Sequence, residues 1–132
     1  MSPTFDARLN RLFETVYPPG RGPYSSAEVI SALNAQGIRM SAPYLSQLRS
    51  GSRTNPSTAT VVALANFFRV KPAYFLDDGY FATLDRELAW LLMSRDESVR
   101  DIALRFAELP QSARERVAGL IDELHAGQTQ RT

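Results

Sequence analysis

Residues 41–57 read SAPYLSQLRSGSRTNPS, and their order is that of a capped helix, a stop, a basic loop and a second cap. Ser41 supplies a hydroxyl for the unpaired N–H groups of a first helical turn. Pro43 fits that turn, because the N–H it lacks would have had no partner there. Leu45 and Leu48 stand three apart and share one side, and Gly51 suits the left-handed residue at which helices stop. Ala42, Pro43, Tyr44, Ser46, Gln47 and Arg49 lie off the apolar side or at its edge, so the outer surface of this short helix is polar. Arg53, Thr54 and Asn55 fill the loop, and Ser57 after Pro56 opens the next helix.

Outward from this stretch the chain reads as helices joined by short connections. Downstream, Val61, Leu64, Ala65 and Phe68 repeat at helical spacing, and Tyr74, Phe75 and Leu76 make a one-turn element. Upstream, Ser25 and Glu28 form a capping box for a helix from about Ser26 to Gln36, with Val29, Ile30 and Leu33 inward and Gly37 as its stop. Earlier still, Phe5, Leu9, Leu12, Phe13 and Val16 make one stripe, ended by Pro18 and Pro19. The segment Tyr17 to Tyr24 holds three prolines and two glycines, which predicts a surface loop. Nothing alternates as a strand would, so the expected fold is all-α, with five helices in residues 1–78.

Asp77, Asp78 and Gly79 mark a turn or helix cap and the expected domain boundary. Beyond it lie three more stripes: Leu84, Leu88, Leu91 and Leu92; Val99, Ile102, Ala103 and Phe106; and Val117, Leu120, Ile121 and Leu124. Ser94 with Glu97, and Ser112 with Glu115, read as capping boxes for the last two helices. Residues 79–126 are too few to bury all these stripes alone, which predicts packing on the first domain or, preferably, on a second copy. The expected homodimer interface comprises Leu84, Leu88, Leu91, Val99, Ile102, Phe106, Val117, Leu120, Ile121 and Leu124. Trp90 belongs to the same apolar set, as core or interface. Residues 127–132 read as a disordered tail.

The chain of 132 residues contains no cysteine and one histidine, His125. That excludes disulfides, thiolate nucleophiles and cysteine-based metal sites, and leaves no set of side chains for an enzyme, a metal or a cofactor. The first ten residues are amphipathic rather than a secretory signal, and no stretch has the apolar length of a membrane span. A soluble, cytoplasmic protein without a small-molecule ligand is therefore expected. The formal net charge is only +1, yet residues 1–76 hold eight Lys or Arg against three acids, and residues 77–132 hold seven against eleven. A basic first half points to an anionic partner.

A helix like the one after Ser41 has the chemistry to enter a DNA major groove. Gln47 both donates and accepts, as an adenine edge requires, while Tyr44 and Ala42 suit thymine methyls. Ser41 and Ser46 serve bases or phosphates, and the Arg53-Thr54-Asn55 loop suits phosphates, which set orientation without reading sequence. Helix starts such as that at Ser26 add N–H groups that favour phosphate. Tyr44 fits the core almost as well, Arg49 is as good an ion-pair partner as a phosphate ligand, and Arg69 and Lys71 suit a helix C-terminus without any ligand.

The region from about Asn10 to Asp78 resembles the Cro/repressor-like (XRE) helix-turn-helix family. The likeness centres on Leu45-Ser46-Gln47-Leu48-Arg49-Ser50-Gly51, on Arg53-Thr54-Asn55-Pro56-Ser57, on Ala63-Leu64-Ala65-Asn66-Phe67-Phe68 and on Tyr74-Phe75-Leu76. It implies base contacts from Ser41, Ala42, Pro43, Tyr44, Ser46 and Gln47, beside which the residues themselves suggest phosphate contacts from Ser26, Arg39, Arg49, Arg53, Thr54 and Asn55. The runs Arg8 to Phe13, Tyr17 to Pro23 and Ala42 to Gln47 extend the resemblance, along nearly the whole chain, to actinobacterial nucleoid-associated regulators of secretion genes. That likeness implies a homodimer joined by its C-terminal helices, bound to double-stranded promoter DNA at several places. Ile38, Arg39 and Met40 make the turn before Ser41 longer than that of the broad family, so the recognition helix is expected at a shifted angle. Two rival readings share the same helices: an antitoxin whose acidic tail binds a protein partner, and a helical adaptor that no longer binds DNA.

Overall fold

The computed structural model describes residues 2–131, all of whose regular structure is helical. The helices are α1 (Phe5–Thr15), α2 (Ser26–Ala35), α3 (Ala42–Ser50), α4 (Thr58–Phe67), α5 (Ala73–Leu76), α6 (Asp78–Ser94), α7 (Glu97–Glu108) and α8 (Gln111–Arg131). The chain forms two compact units, residues 1–91 and 92–132. Among the described residues no helix is long and apolar enough to cross a membrane.

The first unit is built on the side chains that the spacing placed inward. Leu9, Leu12, Phe13, Val29, Leu33, Leu45, Leu48, Leu64, Phe68 and Tyr74 are buried in one core, and Phe5, Val16, Ile30 and Tyr44 pack against it. Phe13, Phe67, Phe68 and Tyr24 meet edge-to-face, with ring centroids about 5 Å apart, the arrangement that aromatic quadrupoles favour. A second anchor is polar. Arg8, buried at 3% exposure, donates to the carbonyls of Pro3 and Tyr74, pairs with Asp78 and lies over the Phe81 ring. The Tyr74 hydroxyl returns a hydrogen bond to the Arg8 carbonyl. Burial raises the Tyr74 phenol well above its ordinary pKa, so it stays a donor.

These contacts correct the expected boundary at 78/79. Phe81 and Leu88 of α6 are buried in the first core, and Arg11 pairs with Asp85 at 2.9 Å, so the unit extends to residue 91. Leu88, expected at a dimer interface, is spent inside its own unit, and Leu84 packs against the same core. Asp77 does act as a cap, its carboxylate accepting from the Tyr80 N–H at 2.7 Å.

Two helix starts in the second unit also differ from expectation. Helix α6 continues through Ser94, and α7 is capped by Asp96, whose carboxylate accepts from the N–H groups of Ser98 and Val99. A carboxylate at the N-terminus gains from the helix dipole as well as the hydrogen bonds, and these bonds hold the Asp96 carboxyl below its usual range. Helix α8 begins at Gln111, directly after Pro110, so Ser112 lies inside it rather than capping it. The helix also runs on to Arg131 where disorder was expected from 127, since one glycine in a helix costs only about 1 kcal/mol. Residue 132 lies outside the described residues.

The turn between α2 and α3 is a Schellman motif. Gly37 adopts φ +83°, its N–H bonds the Asn34 carbonyl at 3.0 Å, and the Ile38 N–H bonds the Leu33 carbonyl at 2.9 Å. The added residues then bring Met40 into the core at 8% exposure. The longer turn is thus a packing device. Helix α4 ends the same way with Arg69 at φ 59°, a left-handed residue that costs about 1 kcal/mol without glycine.

Met40→Ala should lower the stability of the chain by about 2 kcal/mol through the cavity it leaves, whereas Met40→Leu should cost less than about 1.5 kcal/mol. Urea unfolding followed by helical circular dichroism measures both.

Candidate nucleic-acid interface

Helix α3 is held from its inner side and bare on its outer side. Leu45 and Leu48 are fully buried, and Gly51 ends the helix at φ +83°. A side chain at Gly51 would also approach the Asp6 carboxylate at 3.1 Å, but the left-handed backbone is what favours glycine there.

A single cation joins the first three helices. Arg49 of α3 donates through Nε to Asn10 Oδ1 of α1 and through Nη1 to Ser26 Oγ of α2, each at 2.9 Å. Its guanidinium lies 3.8 Å from the centroid of the Phe13 ring. Asn10 Nδ2 donates back to the Arg49 carbonyl at 2.8 Å, satisfying an acceptor that the end of α3 leaves unpaired. Burial lowers the Arg49 pKa, opposed by the charge of Glu14, yet an arginine remains cationic throughout. Arg49 and Ser26 are both expected phosphate ligands, Ser26 through the N–H groups of its helix start, and the structure turns their side chains to one another. Arg49 and Ser26 bind each other, because the guanidinium fork finds two oxygens and an aromatic face on the inner side.

The outer side carries the remaining residues of the sequence reading. Ser41 caps α3, its Oγ accepting from the Tyr44 N–H at 3.2 Å. Ala42, Pro43 and Ser46 are exposed, and Tyr44 and Gln47 are half-exposed. Tyr44 is shared between the core and the surface. One part packs on the core, while its ring lies 5.6 Å from the Arg53 guanidinium. The loop after α3 folds back on the helix, the Arg53 N–H bonding the Gln47 carbonyl at 3.1 Å and Arg53 Nε bonding Gln47 Oε1. Arg53, Thr54 and Asn55 are exposed together, and Arg39 is exposed in the turn before α3. Ser57 caps α4 beyond them.

The start of α2 is clipped. The capping box of Ser25 and Glu28 is complete, and Arg21 adds two bonds to the Glu28 carboxylate, at 2.7 and 2.9 Å, while lying over the Tyr24 ring. The Arg21 hydrogen bond first, and the Ser25 N–H second, lower the Glu28 pKa from 4.5 to about 2. Sequence reasoning found the box but neither Arg21 nor Asn10. Each acts across a loop or between helices, where periodicity carries no signal.

A helix set across a glycine turn from its predecessor, buried on one side and polar on the other, defines a helix-turn-helix protein. The helix-turn-helix family HTH_3 matches residues 35–75, from the end of α2 through most of α5. The chain is 68% identical over 124 residues to the nucleoid-associated protein EspR of Mycobacterium tuberculosis, in the strains CDC 1551 / Oshkosh and ATCC 25618 / H37Rv, covering 94% of its own length and 94% of theirs. It belongs to the EspR family of nucleoid-associated proteins.

The clip makes stability depend on pH with a definite sign. Because folding lowers the Glu28 pKa, its contribution is complete above pH 4.5 and is lost as pH falls towards 2. Glu28→Gln should therefore melt below the wild type at pH 7, with the gap narrowing below pH 4.5 and closing near pH 2. Thermal melts across that range measure it, and added salt should shrink the gap at pH 7.

Proposed function

We propose that the protein is a DNA-binding regulator that seats α3 in the major groove as a homodimer, and that it works in the cytoplasm at the nucleoid and not as an enzyme. The observation that carries the reading is the two-sided nature of α3: its inner side is fixed by Leu45, Leu48 and the Arg49 clamp, and its outer side offers only short or polar side chains. In this reading Ser41, Ala42, Pro43, Tyr44, Ser46 and Gln47 face base edges, and Arg39, Arg53, Thr54 and Asn55 face phosphates. Arg49 and Ser26 act one step behind, by holding the helix.

Dimerisation is supported by the second unit and the end of α6. No residue of α7 is buried, and Leu91, Ile102, Leu120, Ile121 and Leu124 are exposed. Exposed leucines and isoleucines at helical spacing fit a partner helix, and a second copy supplies one of matching pattern. Leu84, Val99, Phe106 and Val117 extend the same apolar set. Control of secretion genes belongs to the proposal on the strength of the sequence likeness, and mapping the chromosomal sites the protein occupies tests it.

Fluorescence anisotropy on pooled genomic duplex tests the DNA reading. Binding should weaken steeply with salt, and Arg53→Ala and Arg39→Ala should each reduce the slope of log K against log salt by about 1. Gln47→Ala should reduce selectivity more than affinity for random duplex. Duplex binding that ignores salt and these substitutions would contradict the proposal.

A further inference from the structure

The outer face of α3 carries a built-in polarity. Gln47 and Arg53 are joined by a side-chain hydrogen bond, Arg53 Nε to Gln47 Oε1, and the loop that makes this possible is itself bonded to the helix through Arg53 N–H and the Gln47 carbonyl. An arginine Nε–H only donates, so the amide of Gln47 must turn its oxygen towards Arg53 and its Nε2 away. The Tyr44 ring under the guanidinium helps fix the loop arginine in this place.

We infer that Arg53 is a specificity-determining residue that acts through Gln47, turning it from an adenine reader into a donor that selects guanine. The inference rests on the proposed docking of α3 in the major groove. An unconstrained glutamine reads adenine with both ends of its amide, Nε2 donating to N7 and Oε1 accepting from the N6 amino group. Here Oε1 accepts from the Arg53 Nε–H, and the positive charge of the guanidinium beside it repels an amino hydrogen. What remains for a base is N–H only, from Gln47 Nε2 and the outer nitrogens of Arg53. Guanine offers two acceptors, N7 and O6, and no donor in the major groove, whereas adenine and cytosine each present an amino group. Arg53 thus has a second use beside the phosphate contact that its charge serves.

Selection from a randomised duplex pool, followed by sequencing, tests this with the full-length chain and three variants checked for unchanged helicity and urea midpoint. The position read by Gln47 is the one whose enrichment Gln47→Ala abolishes. Wild type should prefer guanine there over adenine by roughly tenfold to a hundredfold. Arg53→Ala, which releases the amide, should bring adenine up to parity with guanine or beyond, while loss of the phosphate contact lowers affinity for duplex in general. Gln47→Glu keeps the pairing to Arg53 but turns an acceptor outward, and should favour cytosine. Adenine preference in the wild type, a base preference that Arg53→Ala leaves unmoved, or the absence of any position that depends on Gln47 would overturn the inference alone. A wild type that retains no duplex at all would overturn the docking proposal with it.

Discussion

The placement of α3 depends on the clamp at Arg49. A helix of nine residues is not stable by itself in water, because nucleation is costly and few bonds repay it. Its rigidity is borrowed. Leu45 and Leu48 supply the non-directional part by burial. The clamp supplies direction, since one guanidinium fixes α3 against Asn10 of α1, Ser26 of α2 and the face of Phe13. A half-buried cation is costly unless its N–H groups are met; here the oxygens of Asn10 and Ser26 and the Phe13 ring meet them. A recognition helix needs this kind of support, because base contacts depend on position within a fraction of an ångström.

The turn before α3 adds the second constraint. A Schellman end at Gly37 releases the chain from α2, and Met40 then ties it to the core before Ser41 starts the next helix. The apolar anchor inside the turn makes its extra length a fixed spacer. Arg39, between Ile38 and the buried Met40, is thereby held at the surface, where a cation beside the helix start can meet a phosphate. At the other end, the loop from Arg53 to Asn55 is tied back onto Gln47. Helix α3 therefore carries an exposed cation near each end.

Periodicity and capping rules read most of this architecture directly. The helices of the described residues, the cap residues Ser25, Ser41, Ser57 and Asp77, and the stops at Gly37 and Gly51 follow from local rules, because each depends on neighbours within one turn. What escaped depends on partners distant in sequence. The aspartates at 77 and 78 read as a boundary, but the stripe of α6 continues into the first core through Phe81 and Leu88, and Arg8 reaches seventy positions along the chain to Asp78. Asp96 outcompetes Ser94 as a cap, since a carboxylate gains from the helix dipole where a hydroxyl gains little. Among the candidate site residues, the polar outer face of α3 was legible from composition. The inward turn of Arg49 and the pairing of Gln47 with Arg53 were not, because the reach of a long side chain is decided by packing.

In the proposed function, α3 and its two flanking cations form the surface that meets DNA. Amide chemical-shift mapping by NMR, during titration of the isotopically labelled protein with its selected duplex, tests it most directly. Shifts should concentrate at residues 39–47 and 53–55, with Arg49 moving little because its guanidinium is already committed. Shifts confined to α7 and α8, with α3 unmoved at saturation, would contradict it.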